Sequence, residues 1–368
     1  MNNSPAKHIV IDGRELRTSS GRYVERLLHY LQTLDNEHEY TVLLKPQDMA
    51  GWTATNSNFT KLACPHKEFT FDEQLGLKKQ IKGLSADLMH FPFAQQPVWY
   101  RGRVVTTIQD LTTLRFANPD KNSLVFRAKQ QLYKYVVKRA THKSVSVLVP
   151  SEFVKHDIAR FTGVSPDKII VTYEAADMIK DAPEPLPNLE NKQFVMYVGR
   201  PTPHKNLERL IEAFALLRAR HPDLVLVLAG KKDANYQRIE RSVQQRGPKN
   251  VVFTDFVNEG QLRWLYEQCA AYVFPSLSEG FGLPGLEAMV HGAPVVSSNA
   301  TCLPEIYSEA AHYFDPLDTA AIADAINEIL TDKQLRQDLI KKGHVQAAKY
   351  SWQRMATQTL AVYNQALQ

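Results

Sequence analysis

Two carboxylates eight residues apart, Glu279 and Glu287, bracket the run Gly280-Phe281-Gly282-Leu283-Pro284-Gly285-Leu286, which leads from a strand-like stretch ending at Phe274 into a short helix. Glycines let backbone amides come close to an anion. A helix N-terminus offers N–H groups without intrahelical partners, and a carboxylate beyond them can accept ribose hydroxyls. Glu279, Gly280, Phe281, Gly282, Leu283 and Glu287 therefore suit a nucleoside diphosphate. Two cations belong to the same chemistry: Arg200 and Lys205, in the run Gly199 to Asn206, stand between another strand and the helix carrying Leu207, Ile211 and Phe214. Placed near a helix start, they would neutralise a diphosphate.

Near the N-terminus, Asp12-Gly13-Arg14 and Ser19-Ser20-Gly21-Arg22-Tyr23 occupy the first strand-to-helix turn. Gly21 would let a ligand approach the backbone, and Ser19 or Ser20 would cap the helix. This is not the GxGxxG fingerprint, which counts against a nicotinamide or flavin site. Each residue also has a purely structural reading. Glu287 in a first helical turn complements the macrodipole, Arg200 and Lys205 are solvated charges, Gly21 serves helix entry, Asp110 caps a turn, and His90 is a core histidine bonded to a backbone carbonyl. Phe126 and Tyr133, at helical spacing, read as core.

These groups need strand ends to hold them. Strand-like runs at His8–Asp12, Tyr40–Leu44, Asp87–His90, Val104–Ile108, Ser144–Val149 and Lys168–Val171 alternate with helical patterns at Tyr23–Leu34, Asp72–Lys82, Asn122–Thr141 and Glu152–Phe161. A second alternation has strands near Phe194–Val198, Leu224–Ala229, Val251–Thr254, Ala271–Phe274 and Pro294–Ser297. The three alternating prolines of Lys180–Asn191 fit neither helix nor central strand and read as a stiff connection. The expected organisation is two similar α/β domains, 1–180 and 181–350, followed by a helical segment, 351–368, with no strand signal to continue the sheet. Parallel α/β sheets bind ligands beyond the carboxyl ends of their strands, so facing sheets would place a cleft between the domains.

Composition limits the function classes. The chain has 368 residues, 44% of them hydrophobic, and a formal charge of +5, too mild an excess to indicate nucleic acid. Cys64, Cys269 and Cys302 give neither a disulfide framework nor a metal-ligand motif and fit a reducing cytoplasm. No signal-peptide core and no apolar stretch approaching about 20 residues is present, so membrane contact is expected to be peripheral. Between Lys121 and Ser151 there is no acidic residue. Lys121, Arg127, Lys129, Lys134, Lys138, Arg139 and Lys143 read as a solvated helix face, with Leu124, Leu132 and Val136 packing on the sheet, or as a contact for an anionic membrane or lipid phosphate.

Together, Gly199–Asn206, the Glu279/Glu287 pair around Gly-Phe-Gly-Leu-Pro and Gly292-Ala-Pro-Val-Val296 resemble the family-four retaining glycosyltransferases of the GT-B fold. Asp12-Gly-Arg14, Pro150-Ser-Glu-Phe153, Leu303-Pro-Glu305 and Tyr350-Ser-Trp352 extend the resemblance over nearly the whole chain. It implies two Rossmann-like doubly wound domains facing across a cleft, the N-terminal one (1–180) for the acceptor and the C-terminal one (181–350) for the nucleotide-sugar donor, with the final helix (351–368) crossing back to the first; it places Glu279 near the donor sugar, Glu287 on the ribose, Arg200 and Lys205 on the pyrophosphate, and Gly21 close to the donor phosphates. With no paired aspartates at metal-ligand spacing, transfer is expected without metal or cofactor; the resemblance implies retention of anomeric configuration and transfer of a hexose to a glycan or lipid-linked hydroxyl. GDP-mannose is the expected donor, by likeness to mannosyltransferases with a similar first turn; a UDP-hexose, or a non-catalytic binding homologue, is the alternative. Where many relatives carry His-Asp this chain has Gln109-Asp110, which moves any acid–base role to Asp110, to His90 or to neither.

Overall fold

The computed structural model describes residues 6–18, 21–116 and 123–368. The chain divides into two units: Met1–Leu114, Asp120–Glu174 and Ser351–Gln368 form the first, and Arg115–Pro119 with Ala175–Tyr350 the second.

In the first unit seven parallel strands, β1 (His8–Asp12), β2 (Glu39–Leu44), β3 (Phe59–Ala63), β4 (Leu88–Phe91), β5 (Val104–Thr107), β6 (Ser146–Val149) and β7 (Ile169–Val171), lie in the order β3-β2-β1-β4-β5-β6-β7. Helices cover both faces of such a sheet, so its inner strands are buried on both sides; β4 and β5 are buried along their whole length. Ile9, Val10 and Ile11 of β1 and Leu88 and Met89 of β4 are fully buried, with Ile9 opposite Leu88. The order reverses between β1 and β4, the place where open α/β sheets take ligands.

Tyr23, Val24, Leu27, Leu28 and Leu31 form the buried stripe of helix Arg22–Leu34, which packs against the last helix, Trp352–Leu367. Ser351 caps that helix by accepting the Arg354 N–H (3.3 Å), and Trp352, Met355, Ala356, Thr359, Val362 and Tyr363 bury its inner face. Their spacing is that of one helical stripe, which is why the end of the chain belongs to the first unit.

The second unit has six parallel strands, β8 (Phe194–Val198), β9 (Val225–Ala229), β10 (Val251–Asp255), β11 (Ala271–Phe274), β12 (Val295–Ser298) and β13 (Ala311–Phe314), in the order β10-β9-β8-β11-β12-β13. Here the reversal falls between β8 and β11, which pair directly.

Four details differ from the sequence expectation. β3 and β13 were not foreseen; both are edge strands, and β3 exposes Thr60, Lys61 and Ala63, so it lacks the continuous apolar run of a central parallel strand. The helix foreseen at Asp72–Lys82 opens with a π-helical turn, Glu73–Leu77, before Lys78–Gly83 becomes α-helical. The chain enters the second unit at Ala175, ahead of the proline run. That run belongs to the second unit: the Glu184 N–H donates to the Gly260 carbonyl (3.0 Å), and the Glu184 carboxylate accepts from Asn258 (2.8 Å) and Gln261 (3.1 Å) at a helix start. Finally, in the basic helix Ser123–Lys143, Val136 is buried but Leu132 is exposed, while Lys121 lies outside the described residues and the side chains of Leu124 and Phe126 are likewise outside them.

Candidate functional site

Because β8 and β11 are neighbours, the loops leaving their carboxyl ends emerge side by side in the second unit. The first, Gly199–Asn206, precedes helix Leu207–Leu217; the second, residues 275–282, precedes helix Leu283–Val290. Asn206 binds them together. It takes the left-handed conformation (φ 60°), which asparagine tolerates, and its side-chain amide donates to the carbonyls of Pro275 (3.1 Å) and Pro316 (2.8 Å). The Leu277 N–H donates to the His204 carbonyl (2.7 Å). Lys205 is thereby aimed at Glu279, with Nζ 2.6 Å from Oε1, both side chains largely buried. The ammonium also lies 5.2 Å from the centre of the Phe274 ring. A lysine ammonium has three donors, so one carboxylate bond leaves capacity for an anion.

Arg200 is exposed at the end of β8, its carbonyl accepting from the Thr202 N–H (2.9 Å) and Tyr197 hydroxyl (3.3 Å). His204, which the sequence reading passed over, is held down to about 4 by burial and by the adjacent Lys205, so it is neutral at physiological pH.

The glycine loop is shaped by one tyrosine. Gly282 has φ 94° and caps helix Leu283–Val290, and its carbonyl accepts the hydroxyl of fully buried Tyr307 (2.5 Å). A Cβ on Gly285 would lie 2.3 Å from that hydroxyl oxygen, and one on Gly282 2.6 Å away. Phe281 is buried with its ring edge-on to Tyr350 (5.5 Å). Glu287 is not in the first helical turn, so the macrodipole reading does not describe it; its Oε2 accepts from the Tyr266 hydroxyl at 3.3 Å. Lys205 and Glu279 are thus brought into contact, whereas Glu287 is held by a different partner.

In the first unit His90 is a core residue, which overturns it as a catalytic candidate. It is fully buried, Nδ1 lies 2.5 Å from the Tyr363 hydroxyl and Nε2 2.9 Å from Thr107 Oγ1, and Thr107 also meets the Tyr23 hydroxyl (2.9 Å). Burial pushes the imidazole down to about 3. The network ties the last helix to β4, β5 and the first helix. Gly21 answers to its own chain: a Cβ there would lie 2.2 Å from the Leu16 carbonyl oxygen and 2.4 Å from that of Glu15. It caps helix Arg22–Leu34 without a side-chain bond, and Ser19 and Ser20 lie outside the described residues.

Asp110 accepts the Thr112 N–H (2.7 Å), so it does cap a turn, and it also lines, with Gln109 and Tyr133, a cavity of about 320 Å³. Tyr133 therefore borders a cavity rather than serving only as core. Beside Gln109 stands Glu174, beyond the end of β7, a residue with no motif to mark it. Burial pushes its carboxyl up to about 7, against the opposing pull of Gln109 and Arg22. Lys143, in the basic helix, turns inward: Nζ donates to the Pro97 carbonyl (2.6 Å), 5.5 Å from the Phe91 ring centre, and burial lowers it to about 7. Among the described residues no helix is long and apolar enough to cross a membrane.

A family model described as glycosyl transferases group 1 matches residues 178–346. O-antigen chain mannosyltransferase B of Escherichia coli is 34% identical over 281 residues, covering 71% of this chain and 70% of that protein. The serotype-specific mannosyltransferase WbdA of E. coli is 31% identical over 239 residues, 61% of this chain but only 29% of its own length. Among solved structures, sucrose-phosphate synthase from Thermosynechococcus elongatus superposes with a TM-score of 0.79 at 20% identity, covering 98% of both chains. Anabaena HepE in complex with UDP and glucose gives 0.73 at 18% identity over 98% of this chain and 100% of that one.

Proposed function

Because the chain belongs to the glycosyl transferases group 1 family and is a hexosyltransferase of the GT-B fold, we propose that it moves a hexose from a nucleoside diphosphate donor, GDP-mannose, to a hydroxyl of a glycan or lipid-linked acceptor. The observation that carries the reading is the Lys205–Glu279 pair at 2.6 Å beside the glycine loop. Family membership sets aside a dinucleotide oxidoreductase, and the presence of Glu279, Glu287, Arg200 and Lys205 together argues against a non-catalytic homologue.

In the proposed reaction the bond between the anomeric carbon and the β-phosphate oxygen breaks, and its electron pair leaves on the diphosphate. Lys205 and Arg200 stabilise that growing charge most in the transition state, which is where stabilisation accelerates the step. Two cations at one strand end supply the charge that a divalent metal would otherwise bring, so transfer is proposed to be metal-independent. Glu279 faces the donor sugar and Glu287 the ribose. The acceptor hydroxyl attacks from the leaving-group side, with retention, and its proton passes to the departing phosphate. Gln109 cannot titrate, which fits a reaction in which the leaving group is the base. The first unit holds the acceptor, with Asp110 at its cavity. The setting is proposed to be cytoplasmic; the basic helix is read first as a solvated face, with peripheral contact at an anionic membrane as the alternative.

Mannose is favoured by the names of the two relatives; UDP-hexose is the second reading, favoured by the UDP complex of HepE. Incubation of the protein with GDP- and UDP-sugars, without acceptor and with EDTA, separates them. The expected result is thermal stabilisation by GDP-mannose with slow release of GDP. Stabilisation by UDP-sugars alone would transfer the assignment to a UDP-hexose, and a reaction abolished by EDTA would end the metal-free proposal.

A further inference from the structure

The cavity of the first unit has a chemistry that narrows the acceptor. It lies past the carboxyl ends of β1, β4 and β5, at the reversal of strand order, and its size is near the lower end of small-molecule pockets, about 300 to 1,000 Å³. That suits a short sugar end. Among the described residues its walls carry the carboxylates of Asp12, Glu15, Glu68 and Asp110 against one cation, Arg14.

Arg14 is committed elsewhere. It is buried, Nε and Nη2 grip Asp12 (2.9 and 2.7 Å), Nη2 also meets Glu73 Oε1 (3.0 Å), and Nη1 donates to the His66 carbonyl (3.0 Å). The nearby ammonium of Lys45 is shared between Glu68 (2.9 Å) and Glu15 (3.3 Å). Among the described residues neither cation is left to meet a phosphate, and the surplus of carboxylates repels one. Hydroxyl groups fit instead, because carboxylates and amide carbonyls accept hydrogen bonds. Gln95 donates its amide to Glu73, and its Oε1 is buried with no hydrogen-bond partner among the described residues.

An aromatic face completes the cavity. Phe69 lines it and is 73% exposed at φ 62°, a conformation that is an outlier for a bulky side chain. The Phe69 N–H is held by Glu73 Oε2 at 3.1 Å, so the acid network that occupies Arg14 also fixes the main chain that carries the ring.

We propose that this cavity takes the neutral, non-phosphorylated sugar end of the acceptor, its hydroxyls donating to Glu68, Asp110 and Gln95 and its apolar face resting on Phe69. The proposal rests on the glycosyl-transfer reading and deepens it, choosing a glycan terminus over a lipid phosphate. The test is ligand-observed NMR titration of the full chain with methyl hexosides and with the corresponding hexose 6-phosphates, without donor. Neutral glycosides are expected to bind, with the phosphates about a hundredfold weaker, the scale of close like-charge repulsion. Phe69→Ala, at an exposed position, is expected to weaken neutral binding about tenfold, and Glu15→Gln with Glu68→Gln to narrow the discrimination. Equal or tighter phosphate binding, absent neutral binding, or indifference to both sets of substitutions would overturn the proposal. Titration of the same samples with GDP and UDP reports separately on the donor reading: intact nucleotide binding confines such a failure to the acceptor.

Discussion

The two units place opposite chemistry at equivalent positions of similar sheets. At the β8/β11 reversal of the second unit, glycines and a buried tyrosine shape the backbone, and Lys205 is the side chain set in place. At the β1/β4 reversal of the first, a buried Arg14 gathers Asp12 and Glu73 in a wall rich in carboxylates. A parallel sheet thus fixes where ligands arrive but not their sign. The sign comes from the loops, and here it agrees with a reaction that expels a diphosphate from one partner and draws a hydroxyl from the other.

If the cationic side acts on the leaving group, Lys205→Ala should produce the largest effect, a fall in kcat of about a hundredfold to a thousandfold, or about 3 to 4 kcal/mol, the scale of removing one preorganised donor. Steady-state release of nucleotide measures it, and an unchanged kcat would break the comparison on that side.

The acidic side predicts a pH signature in stability. The Glu174 carboxyl is raised from 4.5 to about 7 by burial. Between those values the folded chain holds a proton that the unfolded chain has lost, so stability present below pH 4.5 declines as pH rises to about 7. Its full size is about 3 kcal/mol. Glu174→Gln should remove this slope and raise the urea midpoint at pH 8; a slope left intact by the substitution would mean that Glu174 is not its source.

The smallest effect tests how divided the second unit's roles are. Glu287, bonded to Tyr266 rather than to Lys205, should matter mainly for holding nucleotide. Glu287→Ala is expected to raise the donor KM about tenfold, roughly 1.4 kcal/mol, with kcat little changed. A loss confined to kcat would assign it to chemistry instead.

The central strands were legible because β1, β4, β8 and β11 are mostly apolar runs, and the loops after β8 and β11 because glycine, lysine and glutamate types at those spacings carry their chemistry locally. The edge strands β3 and β13 were not, since edge positions tolerate polar residues. His90 shows the limit at a site: a histidine at a strand end has the same sequence signature whether it faces a ligand or Tyr363, 273 positions later. Phe69 and Gln95, which the cavity gathers from the segment after β3 and the loop after β4, were equally invisible, as was the buried Glu73 that bonds to both, because none lies in a motif.

The final helix also sets an order of events during synthesis. Its inner face supplies Tyr363 to His90, and its contacts with helix Arg22–Leu34 are among the most extensive in the first unit. A ribosome releases those residues only after all of Ala175–Tyr350 has been made. The earlier strands of the first unit therefore wait with an apolar face open to solvent or to a chaperone while the second unit, continuous but for Arg115–Pro119, is already able to fold.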